Sequence, residues 1–262
     1  MNCKICNNSS EKIFKTKVLL KYDVSYFKCS HCHFIQTEKP YWLKEAYESA
    51  IADLDIGLIH RNINNQVIVS DIINDLFDKN EKFLDYGGGY GMFVRLMRDA
   101  GYDYFRQDYF CTNLFAKHFD ITDLNPKTKF EILTAFEVFE HLEDPLIEVK
   151  KMVELSDNIL FSTEIQPTNN PTPENWWYFV PETGQHISLY STKSLQILAE
   201  EFGMYYQGHA GYLHLFTKSR KKFNFKGNLK KRLLNKIINE AKPKTISLLK
   251  SDFEFVKNKL RN

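Results

Sequence analysis

Three groups of residues have the types and spacing to do chemistry. Cys3, Cys6, Cys29 and Cys32 form two C-x2-C knuckles separated by 22 residues. Two such knuckles supply four thiolates at tetrahedral geometry, which suits Zn2+. A closed four-cysteine set leaves no open coordination position, so this zinc is expected to be structural. His31 and His33 stand beside the second knuckle as rival ligands, which four cysteines make unnecessary. The second group runs from Asp85 to Gly91, where Gly87, Gly89 and Gly91 alternate behind an acidic residue. A glycine turn between strand and helix lets a nucleotide-like ligand approach bare backbone at a helix N-terminus. A dinucleotide fingerprint counted from Gly87 would need glycine where Met92 stands, and the stretch lacks the Lys-Ser or Lys-Thr of a phosphate loop. The third group is Glu137, Glu140 and His141, at i, i+3 and i+4, with His186 further along. On a helical turn the first three share one face.

These groups need elements to position them. Phe83 and Leu84 run into Asp85 as a strand. Phe93, Leu96, Met97 and Ala100 then repeat at helical spacing, and Gly101 closes that helix. Tyr104 to Gln107 reads as a second strand, ending at Asp108. Ala116 to Leu124 holds a short third strand, Phe130 to Phe136 a fourth and Ile159 to Thr163 a fifth. Asp144 and Pro145 read as the cap and first turn of a helix. Ser191 or Thr192 caps another, and two last strands lie near Met204 to Gln207 and Leu213 to Thr217. The alternation predicts an α/β fold with a Rossmann-like sheet. Residues 1–39 form the cysteine module, 40–80 a helical linker and cofactor cover containing Asp55 and Arg61, 81–218 the main domain and 219–262 a basic helical segment. Residues 164–190 lack periodicity and hold Trp176-Trp177-Tyr178-Phe179. Two readings stand for them: an acceptor lid, or a hydrophobic clamp that ties the loop down. The fifth cysteine, Cys111, reads as a small buried apolar residue.

An acidic residue followed by x-G-x-G-x-G resembles motif I of the class I S-adenosylmethionine-dependent methyltransferases. Glu137 to Pro145, of the form E-V-x-E-H-x-x-D-P, resembles their motif after the fourth strand. The resemblance implies a seven-stranded, mostly parallel sheet with an antiparallel last strand. It places Gly87, Gly89 and Gly91 at the amino-acid end and ribose of the cofactor, and Asp85 toward its ammonium. Asp108 would accept both ribose hydroxyls, Phe119 and Asp120 would flank the adenine, and Glu137 would lie on the cofactor side. His141 is the expected general base for a hydroxyl acceptor, with Glu140 and His186 beside it; a structural histidine at a helix start is the rival reading. Glu137, Glu140, His141 and His186 are also similar to the divalent-metal set of small-RNA 2′-O-methyltransferases and some quinone-pathway O-methyltransferases. There Mg2+ or another divalent ion lowers the acceptor pKa. With its cysteine knuckles read as a zinc ribbon, residues 1–217 resemble bacterial zinc-ribbon-bearing methyltransferases, many of which modify sugars in surface-polysaccharide pathways. The extra C-terminal domain of the zinc-containing sugar C-methyltransferases is missing, which favours O-methylation of a sugar or nucleotide-linked sugar.

Charge adds a second expectation. Residues 218–262 carry 15 of the 35 basic and 3 of the 33 acidic side chains, so the body is acidic and the tail basic. The tail is read as a helical hairpin on the body or on a second copy in a homodimer, or as a contact for an anionic membrane or phosphate-rich partner. It supports the alternative of an RNA methyltransferase; a non-catalytic cofactor-binding or interaction protein is the third class. The N-terminus has no apolar signal core and no apolar run approaches the ~20 residues that span a bilayer, so a soluble, cytoplasmic protein is expected.

Overall fold

The computed structural model describes residues 1–48, 57–209 and 212–220. Asp55 and the basic residues 221–262 lie outside the described residues. Contacts group the chain into two units, Met1–Asp55 with Ala135–Arg220, and Ile56–Thr134 with Lys221–Asn262.

The first unit opens with β1 (Ser10–Val18) and β2 (Tyr22–Cys29), an antiparallel hairpin extended by β3 (Ile35–Thr37). A single short turn, α1 (Leu43–Ala46), follows. The second unit contains α2 (Leu58–Leu76), β4 (Lys82–Tyr86), α3 (Met92–Asp99), β5 (Asp103–Gln107) and most of β6 (Ile132–Ala135). The first unit resumes with α4 (Pro145–Val153), β7 (Asn158–Ser162), β8 (Ser188–Leu189), α5 (Thr192–Glu201), β9 (Tyr205–His209) and β10 (Leu213–Thr217). Among the described residues no helix is long and apolar enough to cross a membrane.

Among the described residues the mixed sheet has six strands, in the order β5-β4-β6-β7-β10-β9, one fewer than the resemblance implies. In the second unit β4 runs parallel to both β5 and β6. In the first, β10 runs antiparallel to β7 and β9, the reversal expected of a last strand. The missing strand is the third. Ala116 to Leu124 gives only one bridge, Arg106 to Asp120, and a 3-10 turn over Ile121–Asp123. Its polar side chains explain this. Asn113 bonds the backbone of Ala116, and Asp120 and Asp123 cap each other's backbone N–H groups. Such local bonds compete with a strand ladder.

Helix α3 starts at Gly91, whose φ of 85° is left-handed. It buries Phe93, Val94, Met97 and Arg98. Buried Arg98 donates to Asp103 Oδ1 (2.7 Å) and the Tyr104 carbonyl (2.8 Å). Helix α4 takes the expected cap: Asp144 accepts from Ile147 N. Helix α5 is capped by Ser191, with Ser194 completing a reciprocal pair.

The aromatic stretch 164–190 joins the N-terminal module. β8 pairs antiparallel with β3, giving a second sheet of order β1-β2-β3-β8. Trp176, Tyr178 and Phe179 pack with Val18, Tyr26 and Trp42 in one buried cluster. Trp42 Nε1 donates to the Gly184 carbonyl at 2.8 Å. Gly184 has φ of 67°, and a Cβ there would meet Val18 and Trp42 side chains. For these three rings the clamp is what the structure shows. Trp177 is the exception, at 70% exposure.

The β1–β2 turn carries strain. Leu19 and Leu20 sit at φ of 52° and 59°, closed by Lys21 N to the Val18 carbonyl. This is the turn that Asn-Gly normally supplies. Leu20 is 78% exposed, so its side chain contributes little packing. Leu20→Asn should raise stability by about 0.5–1 kcal/mol, because Asn tolerates the left-handed region. Thermal denaturation checks this, and a lowered midpoint would refute the strain argument.

Candidate functional site

Asp85 is the last but one residue of β4, with 4% exposure. Thr134 Oγ1 donates to its Oδ1 at 2.8 Å. Burial raises its pKa to about 7; the Thr134 bond opposes that shift and the Asp108 charge adds to it. A carboxylate so placed is poised to gain a cationic partner. The turn beyond it is open. Gly87 N and Gly88 N both donate to the Gln107 carbonyl, at 2.8 and 3.1 Å. Gly89 has φ of 53° and nothing within 4 Å of where a Cβ would stand. Gly91 is the crowded one, where a Cβ would meet Asn113 and Ala116. The turn therefore leaves open space beside Gly89 and packs tightly at Gly91.

Asp108 follows β5. Its Oδ1 accepts from Phe110 N (2.8 Å) and Cys111 N (2.7 Å), and its Oδ2 from Gly89 N (2.9 Å). A carboxylate offers roughly four lone-pair positions, so one remains, on Oδ2. The carboxylate expected to take the ribose hydroxyls thus already accepts three backbone bonds.

Phe119 and Asp120 are both tied to neighbouring side chains. Phe119 is 5% exposed, with the Arg98 guanidinium 3.7 Å from its ring centroid and Phe105 packed edge-on. That ring is core and offers no open face to an adenine. Asp120 uses both oxygens internally, accepting from Arg106 Nε (2.6 Å) and Asn113 Nδ2 (3.0 Å). The organiser that sequence reasoning missed is Arg106. It is 5% exposed and binds the carbonyls of Gly89 and Cys111 as well as Asp120. An arginine directly after Tyr104 and Phe105 in a strand was the available signal. Cys111 is half-buried, and burial raises its thiol pKa to about 11, which removes it as a nucleophile.

In the first unit, Glu140, His141 and His186 offer ligand atoms all within 4.8 Å of one another. Glu137 does not join them. The local helix is a 3-10 turn over Phe139–His141 only, and Glu137 precedes it at φ of 53°. Its carboxylate instead accepts from Ser162 Oγ at 2.7 Å, while Ser162 Oγ accepts from Glu137 N at 2.8 Å. The expected shared helical face of Glu137, Glu140 and His141 is thus broken at its first member. Three of the four expected ligands come together.

The cluster is pre-oriented. His186 Nδ1 lies 2.5 Å from the Tyr178 carbonyl. A carbonyl only accepts, so Nδ1 carries the proton and Nε2 keeps a lone pair. His141 Nδ1 meets the Tyr47 hydroxyl at 3.0 Å, and its Nε2 lies 3.9 Å from Glu140 Oε1. Burial, then the neighbouring His186, lowers the His141 pKa to about 3; burial lowers that of His186 to about 4. Both rings are therefore neutral at working pH, the form that ligates metals. Glu140 has 0% exposure. A buried carboxylate beside two neutral imidazoles is a donor set that fits a cation.

The four cysteines also gather. Their sulfurs lie within 4.8 Å of one another, with Cys3–Cys32 and Cys6–Cys29 at 3.5 Å. Tetrahedral zinc with bonds of about 2.3 Å would set sulfurs roughly 3.8 Å apart. Ile5 N donates to Cys3 Sγ, and His31 N and Cys32 N donate to Cys29 Sγ, each at 3.4 Å. These donors favour thiolates. His31 and His33 are not members of the group.

Comparison with known proteins completes the site. No curated protein matches the chain. Among solved structures it is similar to magnesium protoporphyrin IX methyltransferase from Synechocystis with bound SAH, at 12% identity and TM-score 0.43, covering 66% of this chain and 90% of that one. It is similar to an O-methyltransferase family 2 protein from Planctomyces limnophilus in complex with apigenin, at 13% identity and TM-score 0.45, over 63% and 61%. A third is mitomycin 7-O-methyltransferase, at 12% identity and TM-score 0.43, over 67% and 59%. The chain thus spans about three fifths of the length of the last two. A profile of the methyltransferase-domain family matches residues 60–207, more than half of the 262 residues. The match takes in the Asp85 turn and all three residues of the buried cluster. The chain belongs to the methyltransferase-domain family.

Proposed function

We propose that the protein methylates a hydroxyl oxygen of a sugar or nucleotide-linked sugar, of the kind used to build surface polysaccharides. The observation that carries hydroxyl chemistry is the Glu140–His141–His186 cluster. Bound S-adenosylmethionine supplies an electrophilic methyl on its sulfonium. Asp85 receives the cofactor ammonium, the open space beside Gly89 admits its amino-acid end, and Asp108 Oδ2 takes one ribose hydroxyl. A hydroxyl acceptor must also lose a proton. An imidazole held near pKa 3 is a weak base by itself. Glu140, His141 and His186 would hold a divalent ion, which would lower the acceptor pKa. Two imidazole nitrogens and one carboxylate suit a transition ion better than Mg2+. Cys3, Cys6, Cys29 and Cys32 would hold a structural zinc away from this chemistry. The exposed indole of Trp177 supports the sugar reading, since an aromatic face can stack on a sugar ring. Residues 218–262 would contact an anionic partner, and a homodimer and cytoplasmic placement belong to the same reading.

The test is incubation with methyl-labelled S-adenosylmethionine and nucleotide sugars, polysaccharide fragments or cellular RNA, followed by mass spectrometry. Label on a sugar oxygen is expected. Label in RNA would replace the sugar reading with an RNA one.

The cluster makes a separate prediction. Glu140→Ala and His186→Ala should each lower turnover by roughly a hundredfold or more, while cofactor affinity by calorimetry stays within about twofold. If both variants turn over normally and chelators have no effect, the cation role is wrong.

Asp85 predicts a pH dependence. Its ordinary pKa is 3.8 and burial raises it to about 7, so the apoprotein should lose stability as pH rises from about 4 through 7. The cofactor ammonium favours the ionised form, so affinity should rise over that window and level off above it. Asp85→Asn should abolish both trends and weaken binding roughly ten- to a hundredfold. Calorimetry and thermal melts at several pH values check this; a flat wild-type profile would remove Asp85 from the ammonium site.

A further inference from the structure

The four-cysteine group and the Glu140–His141–His186 cluster are separate groups of ligand-type side chains. In this chain short, named hydrogen bonds connect them, all within the first unit. Gln36 is 0% exposed. Its side chain clasps the first knuckle from both sides of Cys3: Nε2 donates to the Asn2 carbonyl and Oε1 accepts from Lys4 N, both at 2.9 Å. Its backbone pairs with Ser188 across β3–β8, and Ile35 pairs with Leu189. The second knuckle reaches the same strand from its other end, where Ser191 Oγ donates to the Cys32 carbonyl at 2.6 Å.

Strand β8 in turn holds the cluster. Ile187, the residue after His186, donates its N–H to the Glu140 carbonyl at 2.9 Å. Ser188 Oγ donates to the Leu142 carbonyl at 2.6 Å. Thr37 N donates to the Ile187 carbonyl at 3.2 Å. Residues 187–191 are thus bonded on one side to the knuckles and β3, and on the other to the turn that carries Glu140 and His141. β8 has two residues and β3 three, far too short to hold a register alone. Cys3, Cys29 and Cys32 are buried, so a metal held there would stiffen the end of the module at which β3 and β8 meet the knuckles.

We propose that Gln36 is a positioning residue, and that through it and the β3–β8 pair the four-thiolate centre sets the place of His186 beside Glu140 and His141. Loss of the metal then disarms the acceptor cluster without touching the Asp85 turn. Gln36 touches none of the reacting groups. It acts by keeping the first knuckle and β8 in one register, because a buried amide deprived of either partner is costly. The proposal rests on the acceptor-cluster reading and on the cysteines holding a metal, for which their sulfur spacing is the fit.

The experiment uses the full chain with 15N-labelled histidine. Metal content, the His186 and His141 imidazole NMR signals, S-adenosylhomocysteine affinity and kcat are measured for wild type, chelator-stripped protein, Gln36→Met and Ser188→Ala. Gln36→Met is nearly isosteric and removes both side-chain bonds to the knuckle; Ser188→Ala cuts the path at its far end. Stripping the metal should shift the His186 signals and lower kcat, with S-adenosylhomocysteine affinity within about twofold of wild type. Ser188→Ala should keep its metal and shift the same signals. Gln36→Met should shift them too and lower kcat roughly ten- to a hundredfold, the range expected for a group behind the ligands. His186 signals that stay put when the metal is removed would overturn the proposal. So would signals that vanish together with cofactor affinity, which would mean general unfolding. If Gln36→Met does not fold, the stripped protein and Ser188→Ala decide by the same criteria. The imidazole signals are read whether or not transfer is detected, so shifted signals without any methyl transfer would count against the proposed function alone.

Discussion

Two backbone pairs, Ile35 with Leu189 and Gln36 with Ser188, are the contact on which the first unit depends. They join residues about 150 positions apart, and each strand is too short to persist without its neighbours. Around them the packing is mutual. Trp42 reaches the Gly184 carbonyl, Gln166 reaches the His33 carbonyl at 2.7 Å, and Trp176, Tyr178 and Phe179 close the core beside Tyr26. The cysteine module and the segment bearing His186 are therefore one folded object. That makes the placement of Glu140, His141 and His186 a property of non-local packing, with the four cysteines at the other end of it.

The second unit works by a different constraint, the placement of a carboxylate where water is excluded. Asp85 sits near a strand end with Thr134 as its neutral donor, so burial opposes its charge until a cation arrives. The surrounding loop is held by Arg106, which bonds Gly89, Cys111 and Asp120 together. The residues that look like adenine ligands by position are occupied in this scaffold: Phe119 lies under Arg98 and Asp120 against Arg106. What stays available is open space beside Gly89 and one acceptor position on Asp108.

Patterns with short range were legible in the chain itself. Two C-x2-C knuckles implied four converging sulfurs, and alternate glycines after Asp85 implied the strand–turn–helix that is found. Asp144 and Ser191 cap helices where their residue types suggested. Features that depend on long-range partners were not legible. Nothing near Gln36 announces that it will pair with Ser188, and nothing in Trp176-Trp177-Tyr178-Phe179 says which ring stays outside. The third strand failed because Asn113, Asp120 and Asp123 satisfy backbone locally, a competition that apolar periodicity does not register. Glu137 was misplaced because i, i+3, i+4 spacing presumes α-helix, and the turn is 3-10 with a left-handed residue before it.

The most direct measurement of the central claim is amide hydrogen exchange with and without S-adenosylhomocysteine. The account predicts slowed exchange in residues 85–91 and around Asp108, where the glycine turn and its carboxylates take the ligand. Unchanged exchange in residues 85–91 at saturating ligand, or protection confined to the aromatic segment near Trp177, would contradict it.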